Sequence, residues 1–317
     1  MDPIEIEKVS LIPARHEDVH VAFAVDAKYV QHMGVAITSV IVNNPGVNLH
    51  FHLVYDAMFE DDLSKLKKIS ATYNMPLYLY KIVQSTLFDN LKVLHHFSKA
   101  IYYRLLLPYL LPQHLKQTIY LDSDVICVGD IMKLWQVPLG DALLAANGLT
   151  ATSEQTRKLG LKSGRYLQDG VMLMNLPVWR EQELTRRVVE YVAFYPERIE
   201  WPEQDALSAV LDGQFIELPE SIHTMIDCAQ GTGTITKDSV IIHFVGMCKP
   251  WQQWCPDARK SLYWQYLQVS PWFGTRPDEP TTPYQALMAA RLENDKGNTA
   301  EVRRLLELFM QRMVIQQ

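Results

Sequence analysis

HVAFAVDAKYVQHMGVAITSVIVNNPGVNLHFHLVY, residues 20–55, sets the architecture. It opens on a short β-rich run, HVAFAV (20–25), that stops at Asp26. A long apolar stretch follows at 29–44, with Met33, Ile37, Val40 and Ile41 at helical spacing. The segment closes on 48–55, where Leu49, Phe51 and Leu53 alternate with His50 and His52, the period of a strand. Outward from there, EDDLSKLKKISATYN (60–74) puts three acids in its first turn and lysines behind them, the polarity that suits a helix dipole. PLYLYKIV (76–83) reads as a further strand, and another ends at Leu121. Strand, helix, strand, helix, strand is the pattern of a parallel sheet covered by helices. Ligands of such sheets sit beyond the carboxyl ends of the strands, where Asp26 and Asp122 both fall.

Past residue 140 the pattern loosens. ALLAAN (142–147) and GVMLMN (170–175) predict strands, and VWREQELTRRVVEYVAFY (178–195) one amphipathic helix. QDALSAVLDG (204–213) reads as a helix with a glycine stop, and SVIIHFVG (239–246) as a strand running into a loop. PWFGTRPDEPTTP, from 271, is rich in turn residues and marks a boundary. Helical patterns at 284–294 and 300–315 close the chain. The expected organisation is an N-terminal extension (1–19), a single α/β domain (20–270) and a small helical appendage (271–317).

With 48% hydrophobic and 21% charged residues, the chain is ordinary for a globular protein. A formal net charge of -6 and the lack of a Lys/Arg cluster argue against nucleic acid as a partner. Cys127, Cys228, Cys248 and Cys255 form no CxxC pair and no zinc spacing, so reduced thiols in a cytoplasmic setting are expected. The N-terminus has no continuous apolar core of the signal-peptide kind, and no stretch reaches the roughly 18 apolar residues of a membrane span.

TIYLDSDVICVGDI (118–131) carries the chemistry. An apolar run ends in Asp122 and Asp124 with only Ser123 between them, and two like charges so close call for a positive partner. Three readings compete. The plainest is a turn, since Asp and Ser are good loop residues. The second is a phosphohydrolase of haloacid dehalogenase type, with Asp122 as nucleophile; the acids then follow the first strand, whereas here about 120 residues precede them. The third is a DxD pair holding a divalent metal against a diphosphate. That reading needs another ligand from far along the chain, and IIHFVGMCKPW (241–251) offers His243, followed by Gly246 and Lys249.

Six blocks then carry a family: FAVDAKY (23–29), YYRLLLP (102–108), YLDSDV (120–125), GVMLMN (170–175), EQDAL (203–207) and HFVGMCKPW (243–251). Over about residues 20 to 275 the chain resembles the retaining glycosyltransferases of family 8, most closely the lipopolysaccharide core α-glucosyl- and α-galactosyltransferases of Gram-negative bacteria. The resemblance implies a GT-A fold, a Rossmann-like nucleotide-sugar domain with a mainly parallel mixed sheet. It implies a UDP-sugar donor, glucose favoured over galactose, and a lipopolysaccharide core acceptor.

Residue by residue, it implies that Ala24, Asp26 and Tyr29 hold the uridine, with Lys28 and Ser123 in the donor pocket and Arg104 near the sugar and phosphates. Asp122, Asp124 and His243 would hold Mn²⁺ or Mg²⁺, with Gly246 and Lys249 on the diphosphate. Gln204 matches the glutamine beside the anomeric carbon and Asp205 the acid next to it. Gln168 and Asp169 replace the Asn and small residue usual before the inner strand, which leaves a catalytically silent sugar-nucleotide-binding protein as an alternative. Asp205 and Asp169 are the candidates for a covalent route. The amide of Gln204 is a poor nucleophile, so attack on the leaving-group face is favoured.

Trp251 and Trp254 read equally as a lid or as packing. Tyr166, Trp179 and Trp201 read as acceptor-stacking or core. Relatives often end in helices that rest on the inner membrane. Residues 284–317 carry five basic and four acidic side chains, so peripheral contact with its cytoplasmic face stays an expectation. Nothing in the composition points to an oligomeric state.

Overall fold

The computed structural model describes residues 5–10, 18–84, 86–89, 91, 93 and 98–315. Its strands are β1 (Glu5–Ser10), β2 (Val19–Val25), β3 (Leu49–Tyr55), β4 (Leu77–Gln84), β5 (Gln117–Leu121), β6 (Val125–Cys127), β7 (Leu144–Thr150), β8 (Arg165–Asn175), β9 (Ile216–Glu217), β10 (His223–Asp227) and β11 (Ile241–Val245). Eight form one sheet in the order β1-β4-β3-β2-β5-β8-β7-β9, and β10, β11 and β6 form a second. The block β4-β3-β2-β5 is parallel, as the opening pattern requires, with the helices Val30–Asn43 and Glu60–Tyr73 in the crossovers. β8 runs antiparallel to β5, which makes the sheet mixed.

Side chains of the central strands alternate between two cores. Val21, Phe23, Phe51 and Leu53 pack with Ile37 and Val40 of the first helix, while Ala22, Val54, Tyr80 and Tyr120 pack with Tyr102 and Trp179 on the opposite face. Both sheet faces are therefore dry, including the one that carries His50 and His52.

The turn Asp122–Ser123–Asp124 joins the two sheets. β5 ends at Leu121 in the large sheet, and β6 starts at Val125 in the small one, antiparallel to β11 with His243 opposite Val125. The Asp122 N–H donates to the Gly170 carbonyl (2.8 Å), and the Phe244 N–H to the Asp124 carbonyl (3.0 Å). Backbone pairing alone thus brings segments 122–124, 168–170 and 243–244 together.

Four features differ from the sequence expectations. The stretch 178–195 is two helices, Leu176–Glu181 and Leu184–Phe194, broken at Glu183, whose φ of 50° no helix accommodates. The inner strand starts at Arg165, so Gln168 and Asp169 are strand residues rather than loop. The N-terminal extension supplies β1, an edge strand antiparallel to β4; residues 1–4 and 11–17 lie outside the described residues. The turn-rich segment from 271 is anchored: Trp272 sits in the main core and its indole N–H donates to Asp62 (2.7 Å). Helices Pro283–Asp295 and Thr299–Ile315 follow, and Ala289, Ala290 and Leu305 between them pack against Trp254.

Candidate active site

A cavity of about 300 Å³ opens beyond the carboxyl ends of β2 and β5. Of the residues singled out from sequence, Ala24, Asp26, Tyr29, Arg104, Asp122, Ser123, Asp124, Gln168, Asp169, Gln204, His243, Gly246 and Lys249 line it. Lys28 and Asp205 do not. Lys28 is exposed at the surface beside it. Asp205 is buried, and both its oxygens are engaged: Oδ1 accepts from the Tyr166 hydroxyl (2.6 Å), and Oδ2 accepts from the backbone N–H groups of Glu200 (2.7 Å) and Trp201 (2.9 Å). It fastens the start of helix Pro202–Leu211, which accounts for an acid there without giving it a substrate.

The positive partners expected for the acid pair are present, one for each carboxylate. Arg104, delivered by the 3-10 segment Lys99–Leu106, places Nη2 2.9 Å from Asp122 Oδ1. The same guanidinium lies 3.1 Å from Asp169 and 3.1 Å from Glu203, and stacks on the Tyr120 ring at 4.6 Å. The Tyr120 hydroxyl in turn donates to Asp122 Oδ1 (2.7 Å). Lys249 Nζ donates to Asp124 Oδ2 (2.5 Å) and to the Phe244 carbonyl (2.7 Å). Burial would push the Asp124 carboxyl up, but Lys249 and His243 outweigh it and hold the group far below the usual carboxylate range.

His243 reaches the acids from β11. Its Nε2 lies 3.2 Å from Asp124 Oδ1, and its Nδ1 shares a hydrogen bond with His223 Nε2 (2.9 Å) on β10. Donor atoms of Asp122, Asp124 and His243 lie within 4.8 Å of one another. Gly170 is what lets them meet, since a Cβ there would fall 2.3 Å from His243 Cε1 and 2.7 Å from Asp122 Oδ2. Two carboxylates and an imidazole suit Mn²⁺, or Mg²⁺ less well. Among the described residues, carboxyl groups outnumber fixed cations in the cavity lining, five (Asp26, Asp122, Asp124, Asp169, Glu203) to two (Arg104, Lys249). The residues fit a divalent cation.

Sequence reading missed two members of this site. Glu203 carries no motif role beside Gln204 and Asp205, yet it is buried and lines the cavity; burial drives its carboxyl well above the usual range. His223 sits in a strand that carries no motif, and only its pairing with His243 exposes it. Burial also lifts the Asp169 carboxyl, to about 6, against the pull of Arg104.

Four of the five aromatic side chains resolve towards packing. Trp251 is buried and stacks on His32 with ring centroids 3.6 Å apart, while Trp254 packs against the C-terminal helices. Tyr166 and Trp179 are buried, and Trp201 lines the cavity.

A mixed α/β sheet with a DxD turn beyond the carboxyl end of β5 and a distant histidine closing on it fits the class of glycosyltransferases. The glycosyl transferase family 8 model matches residues 20–255, and the chain belongs to that family. It is 29% identical over 293 residues to the lipopolysaccharide 1,2-glucosyltransferase of Escherichia coli (strain K12), covering 86% of each chain. It is 25% identical over 329 residues to the lipopolysaccharide 1,3-galactosyltransferase of Salmonella typhimurium, covering 95% of this chain and 94% of that one. The crystal structure of galactosyltransferase LgtC with donor and acceptor sugar analogs superposes with a TM-score of 0.72 at 22% identity, over 82% of this chain and 98% of that one. The GT-A fold expected from the resemblance is the fold observed.

Proposed function

We propose that the protein is a retaining hexosyltransferase that moves glucose, in preference to galactose, from a UDP-sugar to the lipopolysaccharide core, and that it depends on a divalent metal. The observation that carries this reading is the convergence of Asp122, Asp124 and His243 with Arg104 and Lys249 in one cavity. The glucosyltransferase named above, at higher identity than the galactosyltransferase, supports the choice of sugar. Asp122, Asp124 and His243 hold the metal, which when bound offsets charge on the departing diphosphate.

The chain's own side chains do the rest. Asp26 and Tyr29 frame the uridine end of the cavity. Lys249 leaves Asp124 Oδ2 for the diphosphate, carrying its positive charge to the leaving group. Arg104 holds Asp122, Asp169 and Glu203 in one arrangement around the sugar. Gln204, whose carbonyl lies 3.5 Å from the Gln168 amide nitrogen, stands beside the anomeric carbon. With an amide there and Asp205 fully engaged in the fold, the acceptor hydroxyl attacks on the leaving-group face and a diphosphate oxygen takes its proton. Asp169, which is tied to Arg104, is the only acid of the notional covalent route that lines the cavity.

Among the described residues, no helix is long and apolar enough to cross a membrane. Leu306, Met310 and Met313 form an exposed row on the last helix, which supports peripheral contact with the inner membrane's cytoplasmic face. Flotation with anionic liposomes tests it, and equal binding by a form lacking 299–317 refutes it.

For the main reading, UDP release from UDP-glucose and UDP-galactose is followed with Mn²⁺, with EDTA, and with Asp124→Ala. Metal-dependent release that the substitution abolishes is the expected result. Phosphate release from p-nitrophenyl phosphate would favour the phosphohydrolase, and tight UDP-glucose binding without turnover the silent protein.

A further inference from the structure

Three of the four cysteines, scattered in sequence, meet beside the loop that carries Lys249. Cys228 directly follows β10, and Cys248 and Cys255 bracket the loop after β11. All three are free thiols, and Cys255 is within hydrogen-bonding reach of both of the others. Cys228 and Cys255 are buried among Phe244, Trp251 and Tyr263, whereas Cys248 is half-buried beside the exposed Met247. The surroundings favour a thiolate: the Asp257 N–H donates to Cys255, and the Lys260 ammonium acts on both Cys255 and Cys248. Donation from Cys228 and Cys248 draws Cys255 far below the ordinary thiol range and pushes the two donors up. Moving one proton along the S–H···S contact between Cys248 and Cys255 makes Cys248 the nucleophile.

Among the described residues, only Asp122, Asp124 and His243 have the mutual spacing of metal ligands. The thiols are arranged pairwise around Cys255 instead, which is the arrangement for sulfur–sulfur chemistry.

We propose that Cys248 and Cys255 form a reversible disulfide when the protein meets hydrogen peroxide, making this loop a thiol-modification site next to the donor cavity. The Cys248 thiolate attacks one peroxide oxygen; the O–O bond breaks, hydroxide leaves, and the sulfur becomes a sulfenic acid. The hydroxide from that step takes the proton from Cys255 as water, the Cys255 thiolate attacks the Cys248 sulfur, the S–O bond breaks, and a second hydroxide leaves. Peroxide is reduced by two electrons and the two thiols are oxidised by the same two. Cys248 is the entry point because it alone of the trio is partly exposed. Bonding it inward displaces the backbone next to Lys249, and with it the ammonium at Asp124. That consequence for donor binding rests on the proposed function, whereas the disulfide itself does not.

The test uses the full-length protein, treated with stoichiometric peroxide, alkylated and mapped by mass spectrometry. The expected result is a Cys248–Cys255 linkage that dithiothreitol reverses, with Cys127 and Cys228 alkylated after denaturation. Cys248→Ser removes that linkage; should it fail to fold, Cys248→Ala serves, and wild-type mapping stands alone. No linkage, irreversible sulfonic acid at Cys248, or a bond through Cys127 overturns the proposal. So does one equivalent of zinc that copurifies and is released by a mercurial, because the thiols are then ligands. UDP binding to the oxidised form is expected to weaken at least tenfold. Unchanged binding with the disulfide present overturns the effect on the loop, and absent UDP binding in the reduced form instead refutes the proposed function.

Discussion

His223 Nε2 lies 2.9 Å from His243 Nδ1, and the two rings are nearly parallel, 17° apart, inside the small sheet. With one ring nitrogen of His243 occupied, the other is left to face Asp124. Burial drives His223 well below the ordinary histidine range, so it is a neutral partner that fixes the orientation of His243 without adding charge. Partners of this kind typically govern affinity by about 10- to 100-fold. His223→Phe keeps the buried volume and removes the hydrogen bond. Mn²⁺ affinity, measured by calorimetric titration in the presence of UDP, is expected to fall by about that factor. An unchanged affinity rules out this role for His223.

Gly170→Ala tests the close approach that forms the Asp122–Asp124–His243 cluster. The added methyl falls 2.3 Å from His243 Cε1, closer than atoms pack, and Asp122 Oδ2 at 2.7 Å blocks the other direction. One of the two ligands must move. UDP release should drop at least about 100-fold while the circular dichroism spectrum stays native, since misplacing reacting groups by an ångström costs about that much. Near-normal turnover would show that the site tolerates a wider cluster.

Arg104 is the cation common to three buried or half-buried acids, at 2.9 Å, 3.1 Å and 3.1 Å. Arg104→Ala leaves them facing one another with no counter-charge, a change that costs about 3–5 kcal/mol for a broken buried pair. The loss should be pH-dependent. Burial already lifts Asp169 to about 6 and Glu203 well above its usual range, so lowering the pH protonates both acids and relieves their repulsion. The gap in melting temperature between wild type and variant should narrow from pH 8 to pH 6. A gap that widens on acidification contradicts this account.

Much of this was legible in the chain. The parallel core followed from periodicity at 20–55, and DxD with a distant His-Gly-Lys segment pointed to the Asp122–Asp124–His243 cluster because those residue types carry their chemistry locally. The failures were non-local. Asp205 carries the expected acid at the expected spacing, but its role is decided by Tyr166 and the loop at 200–201, contacts that no window contains. Alternation at 48–55 showed a histidine-bearing face, but not that Tyr78 and Tyr80 on β4 cover it. Glu183 breaks a helix whose apolar spacing runs on past it.

That covered histidine face gives a stability prediction. His20 Nδ1 lies 2.8 Å from His52 Nε2, and His52 Nδ1 lies 3.0 Å from the Tyr80 hydroxyl. Burial, reinforced by His50, lowers His20 from 6.5 to about 4, and burial puts His52 well below 6.5. The unfolded chain therefore takes up protons near pH 6.5 that the folded chain refuses until about pH 4. Stability is complete above 6.5 and is lost as the pH falls through that window. For His20 alone the linkage is about 2 kcal/mol at pH 5. Melting temperature should fall steadily from pH 7 to pH 5, and His20→Gln should flatten the slope. A flat profile in the wild type refutes the assignment.

Glu203 gives the sharpest test of how the donor sugar is held. Its Oε1 meets Arg104 at 3.1 Å, while Oε2 is buried and has no hydrogen-bond partner among the described residues. An unsatisfied buried oxygen costs about 1–3 kcal/mol, and a sugar hydroxyl is the donor that the cavity would bring to it. Glu203→Gln preserves shape but weakens that acceptor and its pairing with Arg104. UDP, which the proposed function places at the Asp26 and Tyr29 end, should bind as before. The kcat/KM for UDP-glucose should fall about 10- to 100-fold, the range of one to two lost hydrogen bonds. Measuring UDP inhibition alongside turnover separates the two effects. Equal losses in both would place Glu203 in the general integrity of the site, and no loss in either would remove it from sugar recognition.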